Sequence, residues 1–313
     1  MKCLAFAYSE IGVESIQTLL DLGETVCGVI THRDHPNEAR WFRSVEELAV
    51  RQGIAVIMPD DPNTPDVLAW ARDRQPDIVF SFYYRKMLGQ PLLELGRLGA
   101  YNMHGSLLPK FRGRAPVNWA IIEGATETGL TLHEMIKSPD AGDIVAQEGV
   151  VIGPDENARE VFDKLVPVAR RLLTRVVPLL REGRAPRRAQ NPAEARYFGA
   201  RTPADGIIDW SQPAKRIHNL VRALTRPYPG AFTYVNGRKL FIWKGADRSI
   251  AAPRGKPGEV ISAGDQGVDV ATGSGVYTIG DVGFDAASTQ KAADVLKAGN
   301  RLGLEEAVSQ RRI

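Results

Sequence analysis

Asn102 and His104 stand two residues apart in YNMHGSLLP, and Asp140 follows 36 residues after the histidine in the turn SPDAGD. If residues 100–104 run as a strand, side chains two apart point to one face. An amide beside an imidazole then supplies a hydrogen-bond donor for a developing oxyanion and a group that carries a proton near neutrality. A nearby aspartate would orient the ring and raise its pKa by charge pairing. Taken singly, each residue reads as well another way: His104 as a satisfied structural histidine, Asp140 as a turn former, Asn102 as the pin of a loop.

Two rival chemistries are weaker. His32 and His35 could join His104 and Asp140 around a metal, but no helical or hairpin ligand spacing supports that, and no metal is expected. A dinucleotide site would show G-x-G-x-x-G at the first strand–helix turn, where the chain has AYSEIG.

The candidate residues must be positioned by a sheet. Short apolar runs at 3–8, 25–31, 55–58, 77–83 and 100–103 alternate with amphipathic segments, VESIQTLLDLG, SVEELAVRQG and TPDVLAWARDRQ. Ser44, Thr64 and Gly23 stand where helix caps belong. The alternation predicts an α/β fold with a Rossmann-like, mostly parallel sheet, whose ligands bind beyond the carboxyl ends of its strands. A helix over 157–183 closes this domain, expected at 1–190. The segment 191–204 reads as a linker, and the basic run Arg181–Arg188 before it as a solvated surface. Residues 205–313 predict a smaller OB-like β-barrel with a terminal helix, and Asn236-Gly237 a hairpin turn.

Composition narrows the classes. With 40 basic against 37 acidic residues the net charge is only +3, far from the footprint of an obligate nucleic-acid binder. No run of 18 apolar residues could span a bilayer, and the N-terminus reads as a first strand and not as a signal peptide, so a cytoplasmic protein without a membrane partner is expected. Cys3 and Cys27 fall in predicted strands of one sheet and read as lone buried thiols.

The pattern N-x-H-x-S-L-L-P-x-F-R-G, followed by an apolar strand and D-x-G-D, resembles the formyltransferases that use 10-formyltetrahydrofolate. It rests on Asn102, His104, Ser106 to Pro109, Phe111 to Gly113 and Asp140 to Asp143. The resemblance implies that an amine attacks the formyl carbon of the folate, that Asn102 and a protonated His104 stabilise the oxyanion, and that Asp140 keeps the histidine's pKa high. No protein nucleophile or metal is needed.

Within the family the chain resembles the sugar branch acting on UDP-4-amino-4-deoxy-L-arabinose, through RAPVNW (114–119), SFYYRKML (81–88), RTPADGIIDW (201–210) and RPYPGAF (226–232). That branch serves lipid A modification and resistance to polymyxin. The resemblance assigns folate contacts to Lys86, Met87, Leu88, Arg114, Ile136, Lys137, Ser138, Pro139 and Asp140, where Lys86 replaces the branch's histidine. Arg201 and Tyr228 are expected to meet the phosphate and uracil of the sugar nucleotide. The methionyl-tRNA branch and other nucleotide-linked amino sugars stand as alternatives, but loop 31–44, with Asp34 and Glu38, is short for a tRNA clamp. A homo-oligomer and a separate UDP-glucuronate decarboxylase partner both stay open.

Overall fold

A computed structural model describes residues 1–34, 40–248 and 255–303; His35 and Glu38 lie outside the described residues, as does the tail beyond 303. The elements up to residue 198 run β1 (Lys2–Ala7), α1 (Ser9–Asp21), β2 (Thr25–Ile30), α2 (Val45–Arg51), β3 (Val56–Ile57), α3 (Pro65–Asp73), β4 (Ile78–Phe82), α4 (Gln90–Leu93), β5 (Ala100–His104), β6 (Arg112–Gly113), α5 (Pro116–Ile122), β7 (Glu127–Glu134), β8 (Ile144–Val151), α6 (Ala158–Arg181) and β9 (Tyr197–Phe198). The chain divides into two units. The first holds Met1–Val117, Glu127–Val151 and Phe162–Gly199; the second holds Asn118–Thr126, Ile152–Val161 and the chain from Ala200 onward.

The first unit is built on a sheet of order β3-β2-β1-β4-β5-β7-β8. Its first five strands are parallel, while β7 runs antiparallel to β5 and β8 antiparallel to β7. β4 is buried along its whole length, and β1 is buried after its exposed first residue. Such near-continuous apolar runs mark parallel strands covered on both faces. Leu4, Phe6, Ile30 and Val79 pack with Val67, Ala71 and Leu92 from the connecting helices. The cap expected at Ser44 forms, its hydroxyl accepting from the Glu47 N–H at 3.2 Å.

Strand-like pairings tie both the basic run, expected as a solvated surface, and the segment 191–204, expected as a linker, to the first unit. Arg188 exchanges backbone hydrogen bonds with Ile144 at 2.8 and 2.9 Å, and β9 pairs in parallel with β6. Pairings this short leave no hydrophobic periodicity in the sequence. The boundary falls at Gly199/Ala200, and two stretches from earlier in the chain join the second unit.

In the second unit α7 (Ala214–Leu224) precedes β10 (Ala231–Val235), β11 (Arg238–Arg248), β12 (Val260–Gly264), β13 (Gly267–Ala271), β14 (Val276–Gly283), β15 (Gln290–Lys291) and α8 (Ala292–Val295). These strands form an antiparallel sheet of order β10-β11-β14-β13-β12, with β15 on β14. Asn236-Gly237 makes the predicted turn between β10 and β11. The last described helix is the four-residue α8. Among the described residues no helix is long and apolar enough to cross a membrane.

Gly113 tests the β6–β9 edge. Its φ is +98°, and a Cβ there would lie 2.2 Å from the Phe198 carbonyl oxygen. Gly113→Ala is expected to lower unfolding free energy by about 1–3 kcal/mol in urea titration. Gly199→Ala, where a Cβ meets nothing within 4 Å, should stay within about 0.5 kcal/mol of the parent.

Candidate active site

The candidate cluster is assembled by the antiparallel step in the sheet. β5 and β7 pair Asn102 with His133 and His104 with Thr131. Directly opposed residues share a face, as do residues two apart, so all four lie together. The connection from β7 to β8 then brings Asp140 back over them. Asp140 Oδ1 lies 3.6 Å from His104 Nδ1 and 3.5 Å from His133 Nε2. Its Oδ2 accepts from the Gly113 N–H at 2.9 Å. The D-x-G-D motif has a steric reason here: a Cβ on Gly142 would sit 2.0 Å from the Glu134 carbonyl oxygen.

Backbone carbonyls fix both tautomers, because a carbonyl only accepts. His104 Nε2 is 2.8 Å from Phe111 O and therefore carries hydrogen. Nδ1, facing Asp140, is the nitrogen left to gain or lose a proton. His133 Nδ1 likewise donates to Glu134 O at 2.8 Å. In the neutral ring its Nε2 accepts from Asn102 Nδ2 at 3.1 Å, leaving the second amide hydrogen and Oδ1 of Asn102 for another partner.

Burial pushes His104 below the ordinary histidine value; Asp140 and the Phe111 carbonyl oppose it, while His133 and Arg112 add to it. Asp140 does pull the His104 pKa upward, as expected, but with the ring only 6% exposed desolvation of the imidazolium is the larger effect and the net direction is down. Burial pushes the Asp140 carboxyl up, yet His104, His133 and the Gly113 N–H together hold it well below the usual carboxylate range.

His133 was not singled out from sequence, although a signal existed. Thr131 and His133 alternate with buried Leu130 and Leu132, which is how a strand carries polar groups on one chosen face. Arg112 and Gln190 were likewise given no role. Arg112 is buried, and its Nη2 donates to Gln190 Oε1 at 2.7 Å.

Of the carried-over folate residues, Met87 and Ile136 are exposed apolar side chains, and Lys137, Ser138 and Pro139 are exposed beside Asp140. Leu88 packs against the core of the first unit. The Lys86 ammonium donates to the Pro59 carbonyl at 3.1 Å and to that of Asp60, so its side chain ties down a neighbouring loop. Arg114 Nη2 donates to Arg85 O at 3.1 Å, joining its loop to the 86–88 segment. Arg201 and Tyr228 belong to the second unit. There the Arg201 guanidinium lies 4.6 Å over the Trp119 ring and donates through Nη2 to Asp205 O at 2.8 Å; its Nε is buried with no hydrogen-bond partner.

His32 does not behave as a metal ligand. Its Nε2 accepts from the Arg85 N–H at 2.9 Å, and its ring stacks on Tyr84 with centroids 4.1 Å apart. Among the described residues no group of three or more His, Cys, Asp or Glu is disposed to hold a metal ion.

Residues 12–177 match the protein-family model described as formyl transferase, and residues 201–300 match the formyl transferase C-terminal domain. The chain is similar in structure to an N-formyltransferase from Helicobacter canadensis, solved in complex with folinic acid and dTDP-3-aminofucose (20% identity, 89% of this chain and 97% of that one, TM-score 0.69). It is also similar to methionyl-tRNA formyltransferase from Clostridium thermocellum (17% identity, 79% and 93%, TM-score 0.54). A third likeness is to a HypX variant from Aquifex aeolicus (19% identity, 95% of this chain and 47% of that one, TM-score 0.63), of which the chain spans about half the length. At these identities the likenesses show the fold.

Three depressed histidines, His32, His104 and His218, set a direction for acid stability. Burial, Lys86 and Arg85 push His32 down to about 4, and burial lowers His104. The unfolded chain takes up these protons below about pH 6.5 and the folded chain does not, so stability is full above that pH and falls as pH drops toward 4. Melting temperature measured between pH 7.5 and 4.5 should show that fall, and His32→Asn should flatten it. An unchanged slope in the variant would rule His32 out as a source.

Proposed function

We propose, from the premise that the chain belongs to the formyl transferase family, that it moves the formyl group of 10-formyltetrahydrofolate onto the 4-amino group of UDP-4-amino-4-deoxy-L-arabinose. The observation that carries the chemistry is the Asp140 carboxylate lying 3.6 Å from His104 Nδ1 and 3.5 Å from His133 Nε2, with the Asn102 amide on the same face. The acceptor is supported by the sequence around Arg114, Arg201 and Tyr228. The nucleotide-linked amino sugar bound by the Helicobacter enzyme supports the wider acceptor class.

In this reading the neutral sugar amine attacks the formyl carbon, and the carbonyl electrons move onto oxygen. The free Asn102 amide hydrogen donates to that oxyanion. Neutral His104 takes the proton from the new ammonium at Nδ1, and Asp140 stabilises the imidazolium. The same proton passes to N10 of the folate as its bond to carbon breaks. Neutral at rest, His104 begins as a base and becomes the acid. The folate lies against Lys86, Met87 and Leu88 and the segment Ile136 to Asp140, with Met87 and Ile136 offering apolar surface. Arg114 presents a planar fork to its polar groups. Arg201 and Tyr228 take the phosphate and uracil. The product carries one positive charge fewer than the ammonium form of its precursor, and the step is placed in the cytoplasm on the way to modified lipid A.

Charge on the loop after β2 supports the small acceptor over a tRNA. Arg43 is paired with Glu10 and Glu14, and Arg40 with Glu47 and Asp34, so these cations are already neutralised by acids.

Incubation of the protein with 10-formyltetrahydrofolate and either UDP-4-amino-4-deoxy-L-arabinose or methionyl-tRNA should release tetrahydrofolate with the sugar alone. Formyl-methionyl-tRNA as the product would overturn the acceptor, and formylation of another nucleotide-linked amino sugar alone would narrow it differently. His104→Ala and Asp140→Ala should each lower kcat by about 10²-fold or more while leaving a cooperative melt. Parent-like turnover in either would remove that residue from the mechanism.

A further inference from the structure

We infer that Gln190 is a positioning residue for Asp140, holding the aspartate backbone in the one conformation that aims its carboxylate between the two histidines. The inference rests on the catalytic reading above for its activity arm only; its titration arm needs the geometry and the pull of the Asp140 carboxylate on His104.

Asp140 has φ +53°, in the left-handed region that a residue with a Cβ enters at a cost. Such a conformation persists only where the surroundings over-determine it. Gln190 Nε2 donates to the carbonyls of Asp140 and Gly142 at 2.9 and 2.7 Å, gripping the turn at Asp140 itself and two residues on. The Tyr197 hydroxyl donates to Pro139 O at 2.9 Å, holding the residue before it. The Gln190 amide cannot be turned over in this setting. Its Oε1 accepts from Arg112 Nε at 3.2 Å and Nη2 at 2.7 Å, and a guanidinium only donates. Arg112 also donates through Nη1 to the Tyr197 hydroxyl at 3.2 Å. The same arginine precedes Gly113, whose N–H meets the Asp140 carboxylate. A buried cation thus orients the glutamine, the glutamine and tyrosine fix the turn, and the turn presents Asp140.

A glutamine that merely stiffened an edge would behave differently, and two measurements separate the two roles. The first is the titration of His104, followed by its ring NMR signals in Gln190→Leu. Asp140 raises the His104 pKa against burial, so releasing the carboxylate should move the titration to lower pH; general loosening, which lets water in, would move it up. The second is a double-mutant cycle on kcat. Gln190→Leu should cost about 10–100-fold through misplacement of the carboxylate. In an Asp140→Asn background the same change should cost little, because its target is gone. An unchanged or raised His104 titration, or full additivity in the cycle, would overturn the proposal. If Gln190→Leu does not fold, Gln190→Glu keeps the acceptor for Arg112 and removes the donor that grips the turn; its loss of kcat and its coupling to Asp140→Asn then decide, because the added carboxylate by itself raises the His104 titration. Should the parent turn over none of the acceptors, the functional reading fails while the titration still decides the role of Gln190.

Discussion

A carboxylate taken out of water is the constraint around which this site is arranged. Removing such an ion from bulk solvent costs several kcal/mol even after relaxation, unless charge-compensating partners meet it. Asp140 accepts a backbone N–H on one oxygen and faces His104 Nδ1 and His133 Nε2 on the other, where a protonated ring compensates its charge. Each partner arrives from a different part of the chain, through β5, β7 and β6, so the carboxylate is stable only when the strands are in register. Register between β5 and β7 is fixed in turn by the apolar residues that alternate with the polar ones, since a slip of one residue would turn His133 into the core.

The same burial sets the proton chemistry. Asp140 pulls the His104 proton affinity up, and desolvation with Arg112 and His133 pulls it down; desolvation wins. Because Nε2 is tied to the Phe111 carbonyl, protonation can change only at the nitrogen facing the carboxylate. An enclosed imidazole that faces an ionised aspartate can take up a proton against groups already in place, with little reorganisation left to do.

A fold shared by proteins with different acceptors does not choose among them. What can choose is local: the paired charges after β2, the exposed apolar residues near Asp140, and the half-buried guanidinium of Arg201 in the second unit. The sheet and its helices hold the transfer chemistry in place, and the surrounding loops are free to differ.

Much of this was legible in the amino-acid sequence. The apolar runs and amphipathic segments located the strands and helices of the parallel sheet, because burial on both faces leaves long hydrophobic stretches in the chain. Asn102, His104 and Asp140 stood out because their spacing carries polar groups where a strand ends and a turn begins. Tertiary structure alone decided the rest. His133 became a partner of Asn102 only through antiparallel pairing, which no local pattern announces. Gln190 and Tyr197 became part of the site because backbone carbonyls distant in sequence came within reach of their side chains. The sign of the His104 shift also needed the fold: a sequence places a charge near a ring, but only packing says how much water the ring has lost.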